Sequence, residues 1–278
     1  MQPAGHEDMK RPIKITRREA LFLPLLVTGM RAAPQLRCEE VRRIPAPEAN
    51  QAVAADQDFL YAIGNHVIGK YEKNTGKRVA GWECERGKPL IHLDSGVVHD
   101  GVLYCAHSNY PGVPMVSSIE MWNAGTLQHS GTFSFGIFAG SATWVDIRKD
   151  FRYVTFAHYR GNGDEPGRDA HWTTLAQFDA EWRQREGWVY PEEVVSRLGQ
   201  MSISGGVFAP DGRLFCTGHD NPEIYVLRFP DGGSTLLLED VIPTMIHGQG
   251  IALDPKDPTL LYGIDRPKKE IIVARLRA

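Results

Sequence analysis

The sequence has little of three things: cysteine, net charge and long apolar runs. Four cysteines in 278 residues, none in a CxxC spacing, exclude a disulfide-built scaffold. A formal net charge of −3 argues against a nucleic-acid partner. No segment stays apolar over the roughly 20 residues that a membrane-spanning helix needs. The remaining composition, 42% hydrophobic and 23% charged, is that of a globular protein. We expect a monomer that binds a small-molecule substrate.

The four cysteines divide into two pairs by context. Cys105 and Cys216 lie within apolar strand patterns, which favours buried free thiols. Cys38 and Cys84 can form a disulfide if the protein is exported to an oxidising compartment. Their spacing leaves both outcomes open.

The N-terminal residues have the layout of an export signal. Basic residues precede the apolar run Ala20–Val27, and the small residues Ala32 and Ala33 follow it. The pair Arg17–Arg18 is typical of twin-arginine signals. We therefore predict that residues 1–36 form a signal or disordered segment and that the protein is periplasmic or extracellular. The alternative is an amphipathic N-terminal helix of a cytoplasmic protein.

One pattern recurs five times along the chain: a small residue at the start of a short strand, a tight turn and a second strand. The small residues lie at intervals of 44, 46, 63 and 45 residues and are Ala52, Gly96, Ala142, Gly205 and Gly250. A period of this size indicates a propeller or a solenoid. Each unit reads as four short strands, with turn sequences such as Asp100-Gly101 between them.

The number of blades follows from the long interval and from the ends of the array. The long interval contains a polar insert, residues 160–169, and a predicted helix at Pro191–Leu198, although it leaves a sixth blade as an alternative. The last unit has three strands, and Arg37–Ile44 reads as an isolated strand before the first unit. Pairing that strand into the last blade removes an open sheet edge. We predict an all-β, five-bladed propeller over residues 37–278.

A family resemblance supports this interpretation. The stretch from Ala54 to Trp82, with Tyr61-Ala62 and Thr75-Gly76-Lys77, resembles the repeat of quinoprotein-type and NHL-type propellers. Residues 45–276 are similar to exported bacterial propellers that often carry the label cycloisomerase. Propeller lyases and lactonases of the broader group bind a metal at the channel mouth, so the resemblance implies such a site. The residues that hold pyrroloquinoline quinone have no counterpart that we can place.

Histidines dominate one face of the predicted propeller. Loops that enter an innermost strand, and loops that join the second strand to the third, open on the same face. Six of the ten histidines fall there: His92, His107, His158, His171, His219 and His247. Imidazoles from separate blades, with an amide or carboxylate, suit a divalent transition metal such as Zn, Mn or Fe. The predicted metal ligands are His92, His107, His158, His219, His247 and Gln249. For any single histidine, a hydrogen bond to a neighbouring blade is the alternative.

Other residues on this face suggest catalytic roles. His171 lies beside the polar insert and is predicted to act as a general acid or base. Arg168 and Arg266 are predicted to hold a carboxylate in a bidentate manner. Asp94 is a candidate for orienting a ring nitrogen of His92. Aromatic residues on this face either stack on a substrate or pack between blades; these are Tyr110, Trp144 and Trp172.

Together these features predict a metal-dependent lyase, isomerase or hydrolase. Its substrate is expected to be a small carboxylate, a lactone or a sugar-derived molecule. One alternative is a non-catalytic propeller that binds a saccharide or a protein. Another is a glycosidase that uses two carboxylic acids across the channel, drawn from Asp94, Asp146 and Asp265.

Overall fold

A computed structural model describes residues 36–137 and 139–277. They form five antiparallel sheets of four strands each, so the five-bladed propeller is confirmed. Blade 1 contains β2 (Ala52–Ala55), β3 (Phe59–Gly64), β4 (Val67–Glu72) and β5 (Arg78–Glu83). Blade 2 contains β6 (Leu93–His99), β7 (Val102–Ser108), β8 (Ser117–Asn123) and β9 (His129–Gly136). Blade 3 contains β10 (Ser141–Arg148), β11 (Phe151–Ala157), β12 (Thr174–Phe178) and β13 (Gln184–Val189).

The remaining two blades complete the ring. Blade 4 contains β14 (Gly205–Phe208), β15 (Leu214–Thr217), β16 (Glu223–Arg228) and β17 (Leu237–Pro243). Blade 5 contains β18 (Ala252–Leu253), β19 (Leu260–Asp265), β20 (Glu270–Arg277) and, as its outer strand, β1 (Arg37–Pro45). Within every blade the first strand named is the innermost.

The N-terminal strand closes the ring as predicted. β1 pairs antiparallel with β20, with Arg37 opposite Arg277 and Pro45 opposite Glu270. Arg43 strengthens this pairing, because its guanidinium lies 2.6 Å from the carboxylate of Asp265 and 3.1 Å from that of Glu270. Asp265 therefore forms an ion pair with Arg43 where β1 closes the ring.

One predicted element of the long third repeat differs in the structure. The helix predicted over Pro191–Leu198 is one turn, α1 (Glu192–Val195), with Pro191 as its N-cap residue. The third strand of blade 3 starts at Thr174, because a short 3₁₀ helix occupies Ala170–Trp172 just before it. No sixth sheet occurs in residues 36–137 and 139–277. The predicted signal and its twin-arginine pair lie outside the described residues.

The innermost strands approach one another closely around the axis. A Cβ placed on Gly250 would collide with the Cβ atoms of Ala52 and Ser95, which belong to two other blades. A Cβ on Gly206 would lie 2.5 Å from the ring of the buried Trp144. The recurring small residues of the sequence are therefore a consequence of this crowding.

All four cysteines are free thiols. Cys105 and Cys216 are buried as predicted, and Cys38 accepts a hydrogen bond from the hydroxyl of Thr244 at 3.3 Å. Among residues 36–137 and 139–277, no helical segment has both the length and the apolar character needed to cross a bilayer.

Candidate functional site

The loops expected to share one face converge on a cavity of about 270 Å³. Every blade, or a loop beside it, contributes to the wall. The lining residues are Gln51, His92, Asp94, Tyr110, Tyr159, Met201, Ser204, His219, Gln249 and Arg266. Most of these side chains are polar or aromatic, and they come from distant parts of the chain.

Asp94 is the buried carboxyl group of this cavity. It is the second residue of β6, only 4% of its surface is exposed, and its Oδ2 lies 3.6 Å from Nε2 of His92. Burial raises the pKa of Asp94, because the charged form loses its hydration. His92, His219 and Arg266 oppose that rise. A buried carboxyl group with a raised pKa beside an imidazole is a candidate for a general acid or base.

His219 connects two sides of the cavity through its ring nitrogens. Its Nδ1 donates a hydrogen bond to Asp220 at 2.6 Å. Its Nε2 lies 3.2 Å from a guanidinium nitrogen of Arg266 and accepts from it, because a guanidinium can only donate. Asp220 thus fixes the tautomer of His219, and His219 in turn positions Arg266 toward the cavity.

Gln249 reaches the cavity from a strained backbone position. Its φ is +69°, in the left-handed region that non-glycine residues seldom adopt. Two hydrogen bonds hold it there: its N–H donates to the carbonyl of Gly218 at 2.9 Å, and its carbonyl accepts from the hydroxyl of Thr217 at 2.5 Å. The side-chain amide donates to the carbonyl of His219 at 3.3 Å. This arrangement aims the amide at the axis.

Two tyrosines form an aromatic wall. The ring of Tyr110 lies 5.1 Å from that of His92 and 5.0 Å from that of Tyr159, measured between centroids. Burial raises the pKa of both tyrosine hydroxyls, and the charge of Asp94 adds to the effect. Both phenols are therefore neutral hydrogen-bonding groups at physiological pH.

Three of the six predicted metal ligands line the cavity, namely His92, His219 and Gln249. The other three lie elsewhere. His107 is buried and does not line the cavity, and its Nδ1 is 2.9 Å from the hydroxyl of Ser118. His158 is buried with its Nδ1 3.1 Å from Glu165, and His247 is exposed. Burial lowers the pKa of both His107 and His158.

Of the three predicted catalytic residues, only Arg266 lines the cavity. His171 is exposed, and its ring lies 3.0 Å from both Asp169 and Glu192. Arg168 lies 3.6 Å from Glu165 and packs its guanidinium 5.6 Å from the ring centroid of Trp172.

The predicted stacking aromatics and carboxylates also separate. Tyr110 lines the cavity, while Trp144 is buried in the core and Trp172 is exposed. Among the carboxylates named for a glycosidase, Asp146 lies near the other end of the innermost strands, and Asp265 pairs with Arg43. Asp94 is thus the one of the three that enters the cavity.

The donor atoms do not assemble into a metal site. Within the described part of the chain, no three side chains of histidine, cysteine, aspartate or glutamate are grouped to hold an ion. The Nε2 atom of His219 also faces the positive charge of Arg266, which opposes a cation at that nitrogen. The cavity residues therefore do not fit a metal in this arrangement, and the predicted Zn, Mn or Fe centre stays a prediction.

Four lining residues were not predicted from the sequence: Gln51, Tyr159, Met201 and Ser204. A signal for two of them was present. The residues directly before the five small repeat residues are all polar: Gln51, Ser95, Ser141, Ser204 and Gln249. Aligning that position across the repeats would have identified Gln51 and Ser204.

Comparison with solved structures agrees with the propeller fold. A luciferin-regenerating enzyme aligns with a TM-score of 0.56 at 11% identity, covering 87% of this chain and 95% of that protein. The RRP9 WD40 repeats align with a TM-score of 0.44 at 10% identity, covering 87% and 98%. The hydrazine synthase of Kuenenia stuttgartiensis aligns with a TM-score of 0.47 at 11% identity, covering 80% and 82%.

The five four-stranded sheets establish the class of protein: the chain is a β-propeller. The similarity to the luciferin-regenerating enzyme, at 11% identity, is a similarity of fold alone. No protein-family model matches the chain, and no curated protein sequence matches it. The resemblance to quinoprotein-type and NHL-type repeats, and to proteins labelled cycloisomerase, stays a prediction.

Proposed function

We propose that this propeller is an enzyme that binds a small anionic substrate in the axial cavity and transfers a proton through Asp94. The substrate class is a carboxylate, a lactone or a sugar-derived acid, and the reaction is an isomerisation, an elimination or a hydrolysis. The observation that carries the proposal is the buried carboxyl of Asp94 in one cavity with His92 and Arg266. The proposal agrees with the chemistry implied by the resemblance to propellers labelled cycloisomerase.

Arg266 supplies the recognition of the anion. Among the described residues its guanidinium makes one hydrogen bond, to His219, so its other N–H groups remain for a ligand. A guanidinium binds a carboxylate through two parallel hydrogen bonds. The amides of Gln51 and Gln249 add neutral donors and acceptors to the wall. A substrate anchored at Arg266 therefore lies within the cavity that contains Asp94.

Asp94 supplies the proton transfer. A general acid or base works best when its pKa lies near the working pH, and burial moves the pKa of Asp94 upward. His92, whose Nε2 lies 3.6 Å from the carboxylate, is the neighbouring group that can take the proton once the two side chains move to hydrogen-bond distance. Such a proton transfer contributes on the order of 10²- to 10⁴-fold to a rate.

Deuterium exchange from solvent is the direct test. The full chain is incubated in D₂O with gluconate, galacturonate, malate or glucono-1,5-lactone, and loss of carbon-bound proton signals is followed by NMR. We expect exchange in at least one compound and a rate at least about 100-fold lower in Asp94→Asn. Asp100→Asn is the matched control, because Asp100 is exposed in the turn at the other end of β6.

The outcomes separate the possible functions. Full exchange activity in Asp94→Asn would contradict the role given to Asp94. Binding of these compounds with neither deuterium exchange nor product formation in the same NMR spectra would favour the non-catalytic binding propeller instead.

The predicted metal is tested separately. We expect the purified protein to contain less than one equivalent of Zn, Mn or Fe, and its exchange activity to survive dialysis against EDTA. A stoichiometric metal that is needed for activity would require the cavity side chains to rearrange.

A further inference from the structure

A second cavity adjoins the first and shares two of its wall residues. It has a volume of about 400 Å³, and Met201 and His219 line both cavities. We call this second cavity the outer cavity and the one that contains Asp94 the inner cavity. The outer cavity is further lined by residues of the segment after α1 and of the turn after β15, including Arg197, Gln200, Asp220, Asn221 and Tyr225. The two cavities are therefore neighbours on the same face of the propeller.

The volumes indicate a substrate larger than the inner cavity alone accommodates. Small-molecule sites range from roughly 300 to 1,000 Å³. The inner cavity, at about 270 Å³, falls just below that range, whereas the two cavities together lie well within it. A ligand that occupies both would pass between His219 and Met201.

The charges of the outer cavity determine what kind of group it accepts. The guanidinium of Arg197 is paired with Glu223 at 3.1 Å, and the carboxylate of Asp220 accepts from His219 at 2.6 Å. Because the positive charge is compensated and the carboxylate would repel an anion, a second acidic group is disfavoured.

The hydrogen-bonding groups of the outer cavity favour hydroxyls. The side-chain amide of Gln200 makes no hydrogen bond within the described residues, so its donors and acceptor are available. The amide of Asn221 donates to the carbonyl of Arg197 at 2.8 Å, and its oxygen accepts no hydrogen bond from the residues that the structure describes. Mixed donors and acceptors suit a neutral, polyhydroxylated unit.

We propose that the substrate is a two-part molecule, a sugar acid whose carboxylate lies in the inner cavity and whose neutral glycosyl unit lies in the outer cavity. This inference rests on the proposed function, because it assigns the acid end to Arg266. The bond that links the two parts lies beside His219.

Calorimetric binding to the full chain tests the inference with three probes. Gluconate carries the acid part alone, lactobionate carries the same acid with a galactosyl unit, and lactitol has both units without the carboxylate. We expect the Kd of lactobionate to be at least about tenfold lower than that of gluconate, and lactitol to bind more weakly than lactobionate.

Two variants locate the gain in affinity. Gln200→Trp places a large side chain at the outer cavity and should bring the Kd of lactobionate to that of gluconate, while the Kd of gluconate stays unchanged and shows that the fold is intact. Gln200→Ala removes the amide alone and should reduce the advantage of lactobionate about fivefold, the effect of one hydrogen bond. Gln128→Trp is the control, because Gln128 is exposed in the turn between β8 and β9 on the opposite face.

The results distinguish this inference from the proposed function. Equal Kd values for gluconate and lactobionate would overturn the glycosyl subsite while leaving the acid site in place. An unchanged advantage of lactobionate in both Gln200 variants would overturn it as well. Absence of gluconate binding, or lactitol binding as tightly as lactobionate, would refute the acid site and with it the two-part substrate.

Discussion

Asp146 provides a sharp test of how burial acts on this fold. It lies on β10, the innermost strand of blade 3, near the end opposite the proposed site, and only 7% of its surface is exposed. Burial raises its pKa to about 6, although the backbone N–H groups of Phe208, at 2.8 Å, and Ile147, at 2.7 Å, partly stabilise the charged form. Asp146 thus links two blades, and the burial of its charged form lowers the free energy of unfolding.

The magnitude follows from the difference between the folded and unfolded pKa values. A rise from 3.8 to about 6 is roughly 2 units, and each unit corresponds to about 1.4 kcal/mol. The folded protein binds the proton more tightly than the unfolded chain does, so the free energy of unfolding falls as the pH rises from about 4 to about 6. The total loss from this residue is about 3 kcal/mol, present in full above the folded pKa and absent below the unfolded one.

Urea unfolding of Asp146→Asn at several pH values measures this term. We expect the free energy of unfolding of the variant, relative to that of the original protein, to rise by about 2 to 3 kcal/mol between pH 4 and pH 7.5. The lost hydrogen bonds shift the variant by an amount that does not depend on pH. Asp150→Asn, at an exposed position in the next turn, should differ from the original protein by a constant of less than about 0.5 kcal/mol. If the difference in free energy of unfolding between Asp146→Asn and the original protein also did not change with pH, the reasoning would be refuted.

Three further predictions concern the ring and its thiols. Ile44→Ala on β1 should lower the free energy of unfolding by about 2–5 kcal/mol in the same urea assay, because Ile44 is 3% exposed in the core. Val41→Ala on the same strand, at 52% exposed, should change it by less than about 0.5 kcal/mol. Similar effects of the two substitutions would argue against closure of the ring by β1. Gly250→Ala should lower the melting temperature measured by circular dichroism, since the added Cβ would collide with Ala52 and Ser95. Gly232→Ala should leave the melting temperature unchanged, because a Cβ there meets nothing within 4 Å. An unchanged melting temperature in Gly250→Ala would show that the inner strands are less crowded than described. In native protein treated with iodoacetamide, mass spectrometry should find Cys84 modified before Cys105 and Cys216. Burial of Cys105 and Cys216 raises the pKa values of their thiols and blocks access of the reagent. Early labelling of Cys105 would contradict the packing of blade 2.

The repeat period was sufficient to predict the fold, since each blade must be built from a similar stretch of chain. The shared face of the loops also followed, because up-and-down strands place alternate turns at opposite ends. The crowded axis was visible in the sequence as well, in the small residues at Gly205 and Gly250. These features depend on local pattern and strand direction, which the order of residues already contains.

The composition of the site could be predicted only in part. Three of the predicted metal ligands come near the ends of second strands, yet their positions relative to those strands differ. His107 lies within β7, His158 follows β11 directly, and His219 comes two residues after β15. Successive side chains of a strand point to opposite faces, so an offset of one or two residues decides whether a ring reaches the axis. In blade 3 the residue that reaches the cavity is Tyr159, the one after His158.

The order of residues alone determined a ring of five similar sheets, its closure by the N-terminal strand and the end at which polar loops gather. Local hydrogen bonding, turn chemistry and side-chain alternation suffice for those features, because each acts over a few neighbouring residues or repeats with a fixed period. Only the tertiary structure decided that Asp94, His219 and Arg266 share one cavity while His158 and His171 pair with carboxylates outside it. Asp94 precedes both His219 and Arg266 by more than a hundred positions in the sequence. Their meeting depends on the twist and offset of each blade, which no single repeat records.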